Sequence, residues 1–222
     1  RKMVANGEYF CINRGRQYGK TTTLKAISNT FSDQYCVFNI SFEIISDSTF
    51  ADEEKLYSMF VWLLVQQFKW VPLEGLDEET GNEIKSFYST HRDRCSEVEL
   101  ADFISTICQL NKKPLVLLID EVDQAGNHVS FIKFLGLLRG MYLRRNIVPT
   151  FQSVILAGVY DIKNLKLKMR PEEHHQYNSP WNIAVPFDVD MSLSADGIAG
   201  MLAEYKADHE LDFDEKSVAR MI

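Results

Sequence analysis

Residues 115–120 read Leu-Val-Leu-Leu-Ile-Asp, apolar at every position up to the closing acid. A strand with one wet face would alternate. A run without alternation suits a strand covered on both sides, as in a parallel sheet flanked by helices. The rest of the chain supplies partners for such a strand. Tyr9–Asn13 is a short apolar run, Tyr35–Phe42 is rich in β-branched and aromatic residues, and Ser153–Ala157 and Asn182–Pro186 add a fourth and a short fifth strand.

Helical patterns separate these runs. Lys20–Phe31, Glu53–Phe68, Glu97–Leu110, Phe131–Arg145 and Ser194–His209 read as helices. In the second, Leu56, Met59, Phe60, Leu63 and Leu64 recur at helical spacing. In the third, Ser96 and Glu99 have the spacing of a capping box. In the last, Ile198, Met201, Leu202 and Tyr205 share a face. Pro72–Arg94 reads as an acidic loop (Glu74, Asp77, Glu78, Glu79) followed by a short helix near Ile84–Thr90. Strands alternating with helices predict an α/β fold in three layers, with a mostly parallel five-stranded sheet. The expected organisation is one domain over residues 1–190 and the beginning of a C-terminal helical lid, or of a winged-helix segment, over 191–222.

Composition narrows the class. Among 222 residues 45% are apolar and 12% aromatic, enough for a sizeable core and against disorder. A net charge of −7 lacks the basic footprint of a nucleic-acid binder, although a local patch is left open. Cys11, Cys36, Cys95 and Cys108 are scattered without a CxxC pair, so neither a zinc set nor a disulfide framework is expected. Buried, reduced thiols in a cytoplasmic protein are the reading. The longest apolar stretch, Met59–Val65, is far short of the roughly 18–20 residues a spanning helix needs. The first residues lack the apolar core of a signal peptide. No initiator Met opens the chain, and the helix pattern from Glu215 runs to Ile222, so a fragment of something longer is expected.

The chemistry concentrates in two places. The first is Arg14-Gly15-Arg16-Gln17-Tyr18-Gly19-Lys20-Thr21-Thr22, where a strand runs into a loop and the loop opens a helix. Backbone N–H groups of such a loop and of the helix start point at an anion, and the helix dipole favours negative charge there. Gly19 permits a backbone conformation that a side chain obstructs. Lys20 would reach the β/γ-phosphates of a nucleotide, and the Thr21 hydroxyl would ligate Mg²⁺. The pattern G-x-x-x-x-G-K-[ST] asks for glycine where this chain has Arg14, with Gly15 one place later. The second is Asp120-Glu121-Val122-Asp123 at the end of the apolar strand. Open α/β sheets bind ligands at the carboxyl ends of their strands, which would put these acids beside the loop. Asp120 would hold Mg²⁺ and Glu121 would polarise an attacking water.

Four stretches carry a family resemblance: Ile12–Leu24, Leu118–Asp123, Ser153–Asp161 and Ser179–Ala184. Together they resemble the bacterial AAA-like P-loop ATPases, over roughly Tyr9 to Tyr205. In that group arginine in place of the first loop glycine looks tolerated. The resemblance implies a sheet in the order 5-1-4-3-2, with ATP and Mg²⁺ bound by Gly15 to Thr22 and Asp120, and with Lys20 and Glu121 as catalytic residues. It also implies a polar sensor after the fourth strand. There this chain has Ala157-Gly158-Val159-Tyr160-Asp161, without the Asn, Ser or Thr often found. The helix Ser194–His209 carries no sensor arginine.

Weaker signals have plain alternatives. Lys163, Lys166, Lys168 and Arg170 form a basic cluster that reads as a solvated helix face. Arg139, Arg144 and Arg145 read the same way, with Arg145 and Arg170 as candidate arginines acting in trans. His174 and His175 are adjacent, a poor arrangement for one metal ion. Trp181 reads as a packing residue ahead of a base-stacking one. Three functions stay open: an ATPase that drives a conformational change, a nucleotide-binding switch without useful turnover, and a P-loop kinase. Glu121 beside Asp120 speaks against the kinase, which must exclude activated water. A homo-oligomer or a partner supplying an arginine is expected to raise a slow basal rate.

Overall fold

The uninterrupted apolarity of residues 115–120 is matched by the position of that strand in the sheet. A computed structural model describes residues 1–13, 15, 19–126, 128–159, 180–187, 194–209 and 211–220. They divide into two compact units, Arg1–Phe187 and Asp188–Ile222. The first unit runs through α1 (Lys2–Ala5), β1 (Phe10–Asn13), α2 (Lys20–Phe31), β2 (Cys36–Ser41), α3 (Asp47–Phe50), α4 (Glu53–Phe68), α5 (Glu78–Thr90) and α6 (Glu97–Leu110). It continues with β3 (Leu115–Asp120), a 3-10 turn (Val122–Ala125), α7 (Val129–Leu143) and β4 (Ser153–Gly158). The four strands form one parallel sheet in the order β1-β4-β3-β2, with β3 buried at every position.

The pleat sorts the strand residues into two cores. Leu115, Leu117 and Ile119 of β3 join Cys36, Phe38, Ile40, Val154 and Leu156 on the face covered by α4, α6 and α7. Val116 and Leu118 turn the other way, with Phe10, Ile12, Ile155 and Ala157, onto Leu24 and Phe31 of α2. Helices thus cover both faces, which is why β3 can afford no polar residue before Asp120. α6 begins at the expected capping box: the Ser96 side chain accepts from Glu99 N–H, and the Glu99 carboxylate accepts from Ser96 N–H at 2.8 Å.

Two expectations need correction. Among the described residues the sheet has four strands and not five, and their order is the 1-4-3-2 part of the expected 5-1-4-3-2. Asn182–Pro186 is not a strand: only Val185 bridges to Phe10, through its N–H to the Tyr9 carbonyl at 2.8 Å. A turn closed by Ala184 N–H on the Trp181 carbonyl (3.1 Å) takes up the residues before it. The turn drives Trp181 fully into the core, stacked 5.8 Å from Tyr9. The second correction is α5, which is longer than the short helix expected. Asp77 is its N-cap residue and Glu78 and Glu79 lie in its first turn, where negative charge suits the helix dipole.

The second unit contains α8 (Ala195–His209) and α9 (Glu215–Ala219). Lys206 joins them, donating to the Phe213 carbonyl (2.8 Å) and pairing with Glu215 (3.1 Å) and Asp212 (3.6 Å). Among the described residues no helix is long and apolar enough to cross a membrane.

Candidate functional site

Parallel strands end together, so their carboxyl ends share one edge. Asn13 of β1 lies in register with Gly158 of β4, and Asp120 of β3 with Ser41 of β2. The chain leaves β1 at this edge and returns into α2 at Lys20. Gly19 caps that helix with φ +69°, the left-handed region. A Cβ there would meet nothing within 4 Å. The requirement for glycine is therefore conformational and not a matter of space.

Lys20 is 6% exposed, uncommon for a lysine. Its Nζ donates to the Gly15 carbonyl at 3.2 Å, and among the described residues no carboxylate pairs with it. Thr21, one residue on, donates its hydroxyl to Asp120 Oδ2 at 2.7 Å. Thr22 is exposed on the first turn of α2, and Gly15 is exposed in the loop. Arg16, Gln17 and Tyr18 lie outside the described residues.

Asp120 is 5% exposed. Its second oxygen accepts the N–H of Glu121 at 2.9 Å. Glu121 has φ +55° and is, among the described residues, the sole non-glycine in the left-handed region. For a residue with a Cβ this costs roughly 1–2 kcal/mol, and such a conformation persists where its surroundings impose it. The 3-10 turn follows directly, with Val122 and Ala125 fully buried. Asp123 closes the group, accepting the N–H of Val159 just beyond β4. This last contact was missed in the sequence. A glycine at the end of β4 and an acid three residues after Asp120 were its signals.

The remaining candidates fall elsewhere. Arg145 stands over the Tyr142 ring, 4.0 Å from its centroid, and donates to the Gly7 carbonyl at 3.5 Å. Gly7 precedes β1, so Arg145 sits at the amino ends of the strands, opposite Asp120, and braces that end. Arg139 donates to Asn182 Oδ1 at 3.0 Å and Arg144 to the Gly140 carbonyl at 3.3 Å. The Lys163–Arg170 cluster and His174–His175 lie outside the described residues. No disulfide joins the four cysteines. Burial pushes the thiols of Cys36 and Cys95 up to about 12, so neither is a nucleophile near neutral pH.

The fold and this edge define an α/β domain with a lysine–threonine helix start facing an acidic strand end. The family model described as AAA-like domain matches residues 1–221, and the chain belongs to that family. Membership points to a nucleotide-binding, ATPase-like function. A search of curated proteins returns no significant match.

Proposed function

We propose that this chain is a P-loop ATPase of the AAA-like kind that binds Mg·ATP and hydrolyses it to drive a conformational change. The observation that carries the reading is the 2.7 Å contact between Thr21 Oγ1 and Asp120 Oδ2, beside a buried Lys20 that lacks a described carboxylate partner. A buried ammonium without a counter-charge is costly unless an anion joins it. A triphosphate would supply that anion, with N–H groups of Gly19 to Thr22 at the helix start. The donor set also fits magnesium, since a hydroxyl and a carboxylate oxygen are the hard ligands it takes. Bound there, Mg²⁺ would neutralise charge developing on the phosphate oxygens.

In this reading each residue has one task. Gly15, Arg16, Gln17, Tyr18 and Gly19 form the loop around the phosphates, and Thr22 adds an N–H from the helix start. Lys20 stabilises charge on the β/γ-phosphates. Thr21 and Asp120 hold the metal. Glu121 orients a water and accepts its proton as the water oxygen bonds to the γ-phosphorus. The bond to the bridging oxygen breaks, and ADP leaves with those electrons. Residues 1–190 would be the ATPase domain and 191–222 the start of a helical lid. A bacterial cytoplasmic setting belongs to the same reading.

Glu121→Gln tests it, because the amide keeps size and shape while losing the basic charge. Phosphate release should fall on the order of 10²-fold or more while ATP affinity holds. Wild-type protein that binds ATP yet releases no phosphate in a single turnover would replace the ATPase with a nucleotide-binding switch.

A further inference from the structure

The loop after β3 is bolted to the end of β4 by one side chain. The Asp123 carboxylate accepts the N–H of Val159, the first residue past β4. Gly158 makes room for it. A Cβ at that position would lie 2.9 Å from both carboxylate oxygens of Asp123, closer than real Cβ atoms come, and 3.0 Å from Val122 Cγ2. Strand and acid are therefore fitted to one another.

Glu121 stands at the other end of the same short turn. The Gln124 N–H bonds to the Glu121 carbonyl at 3.3 Å, and the Gly126 N–H to that of Asp123 at 3.2 Å. Three attachments hold Glu121 in its left-handed conformation: the Asp120 carboxylate on its N–H, buried Val122 beside it, and the Asp123 clamp two residues on. The first two belong to β3 and its core. Of the three, Asp123 is the one that hydrogen-bonds to the main chain just past β4, where this chain has no Asn, Ser or Thr to face a nucleotide.

We infer that Asp123 is a positioning residue that sets Glu121 by clamping its turn to the Val159 N–H, with Gly158 as the notch that admits it. The clamp links β4 to the water-orienting acid through main chain, in place of a polar side chain at the end of that strand. This rests on the ATPase reading above. An acceptor atom is what the clamp needs, so charge at Asp123 is dispensable and oxygen is not.

The experiment measures kcat, and ATP affinity by calorimetry, for wild type, E121Q, D123A, D123N and G158A. In D123A and G158A kcat should fall on the order of 10²-fold, the cost of misplacing a reacting group by about 1 Å, with ATP affinity unchanged. D123N, whose amide oxygen can still accept from Val159, should recover most of kcat. D123A turning over at the wild-type rate would overturn the clamp. D123N as slow as D123A would overturn it too, showing that the Asp123 carboxylate itself takes the proton. Affinity falling in step with kcat would reduce Asp123 to a general folding role. If wild type has no turnover, or E121Q keeps the full rate, the underlying ATPase reading fails and the clamp fails with it.

Discussion

Thr21 Oγ1 donates to Asp120 Oδ2 across 2.7 Å, joining residues 99 apart in the chain. The contact exists because α2 starts, and β3 ends, at the same edge of a parallel sheet. In the proposed reading both oxygens serve one cation. Thr21→Ala and Asp120→Asn should each raise the magnesium concentration needed for half-maximal turnover. Titrating MgCl₂ at fixed ATP checks this, and a curve that does not move in either variant argues against a shared metal.

Lys20 should be the residue on which nucleotide affinity depends most. Its ammonium is buried, and Gly15 offers it only a carbonyl. Lys20→Ala removes the buried ammonium at the start of α2 and should abolish ATP binding measurable by calorimetry. Because a buried charge disappears, thermal stability without nucleotide should hold or rise. Unchanged affinity in this variant would end the phosphate-loop reading.

Hydrolysis by the chain alone should be slow. An arginine contributing to the transferring phosphoryl group is typically worth ~10³–10⁵ in rate. Arg145 is exposed and engaged with Tyr142 and Gly7 at the opposite end of the strands, so it can serve only another copy's site. Arg170 remains a candidate from its sequence alone. The rate per molecule should rise with protein concentration or on adding a partner. A rate that is high and flat from nanomolar to tens of micromolar protein would show a self-sufficient monomer.

Trp181 should matter for stability and not for nucleotide affinity. It is fully buried, stacked on Tyr9, which lies 4.5 Å from Tyr142 between ring centroids. Trp181→Ala should cost about 3–5 kcal/mol of unfolding free energy, as large aromatic truncations in cores do. Urea unfolding measures it. A stable variant with weakened ATP binding would instead put the indole against the base.

The elements formed by local pattern were legible in the sequence. α4 and α6 have the bounds their apolar spacing and caps imply, Glu53–Phe68 and Glu97–Leu110. β3 follows from its unbroken apolar run. Lys20, Thr21 and Asp120 were readable because residue type and order alone mark a helix start and an acidic strand end. α5 was underestimated because its apolar positions are sparse, so its acids looked like loop.

What only the tertiary structure decided is which groups meet across the chain. Asn182–Pro186 has strand composition, yet burying the Trp181 ring against Tyr9 outweighs extending a ladder along β1, and one bridge remains. By residue type Asp123 is, like Glu121, an acid that follows β3. The pairing of β3 with β4 separates them, presenting the Val159 N–H to Asp123 and leaving Glu121 on a left-handed turn. Local sequence sets helix and strand because their hydrogen bonds and side-chain periods are short-range. The different surroundings of the two acids depend on a main-chain donor 36 residues from Asp123, which only the register of the sheet brings within reach.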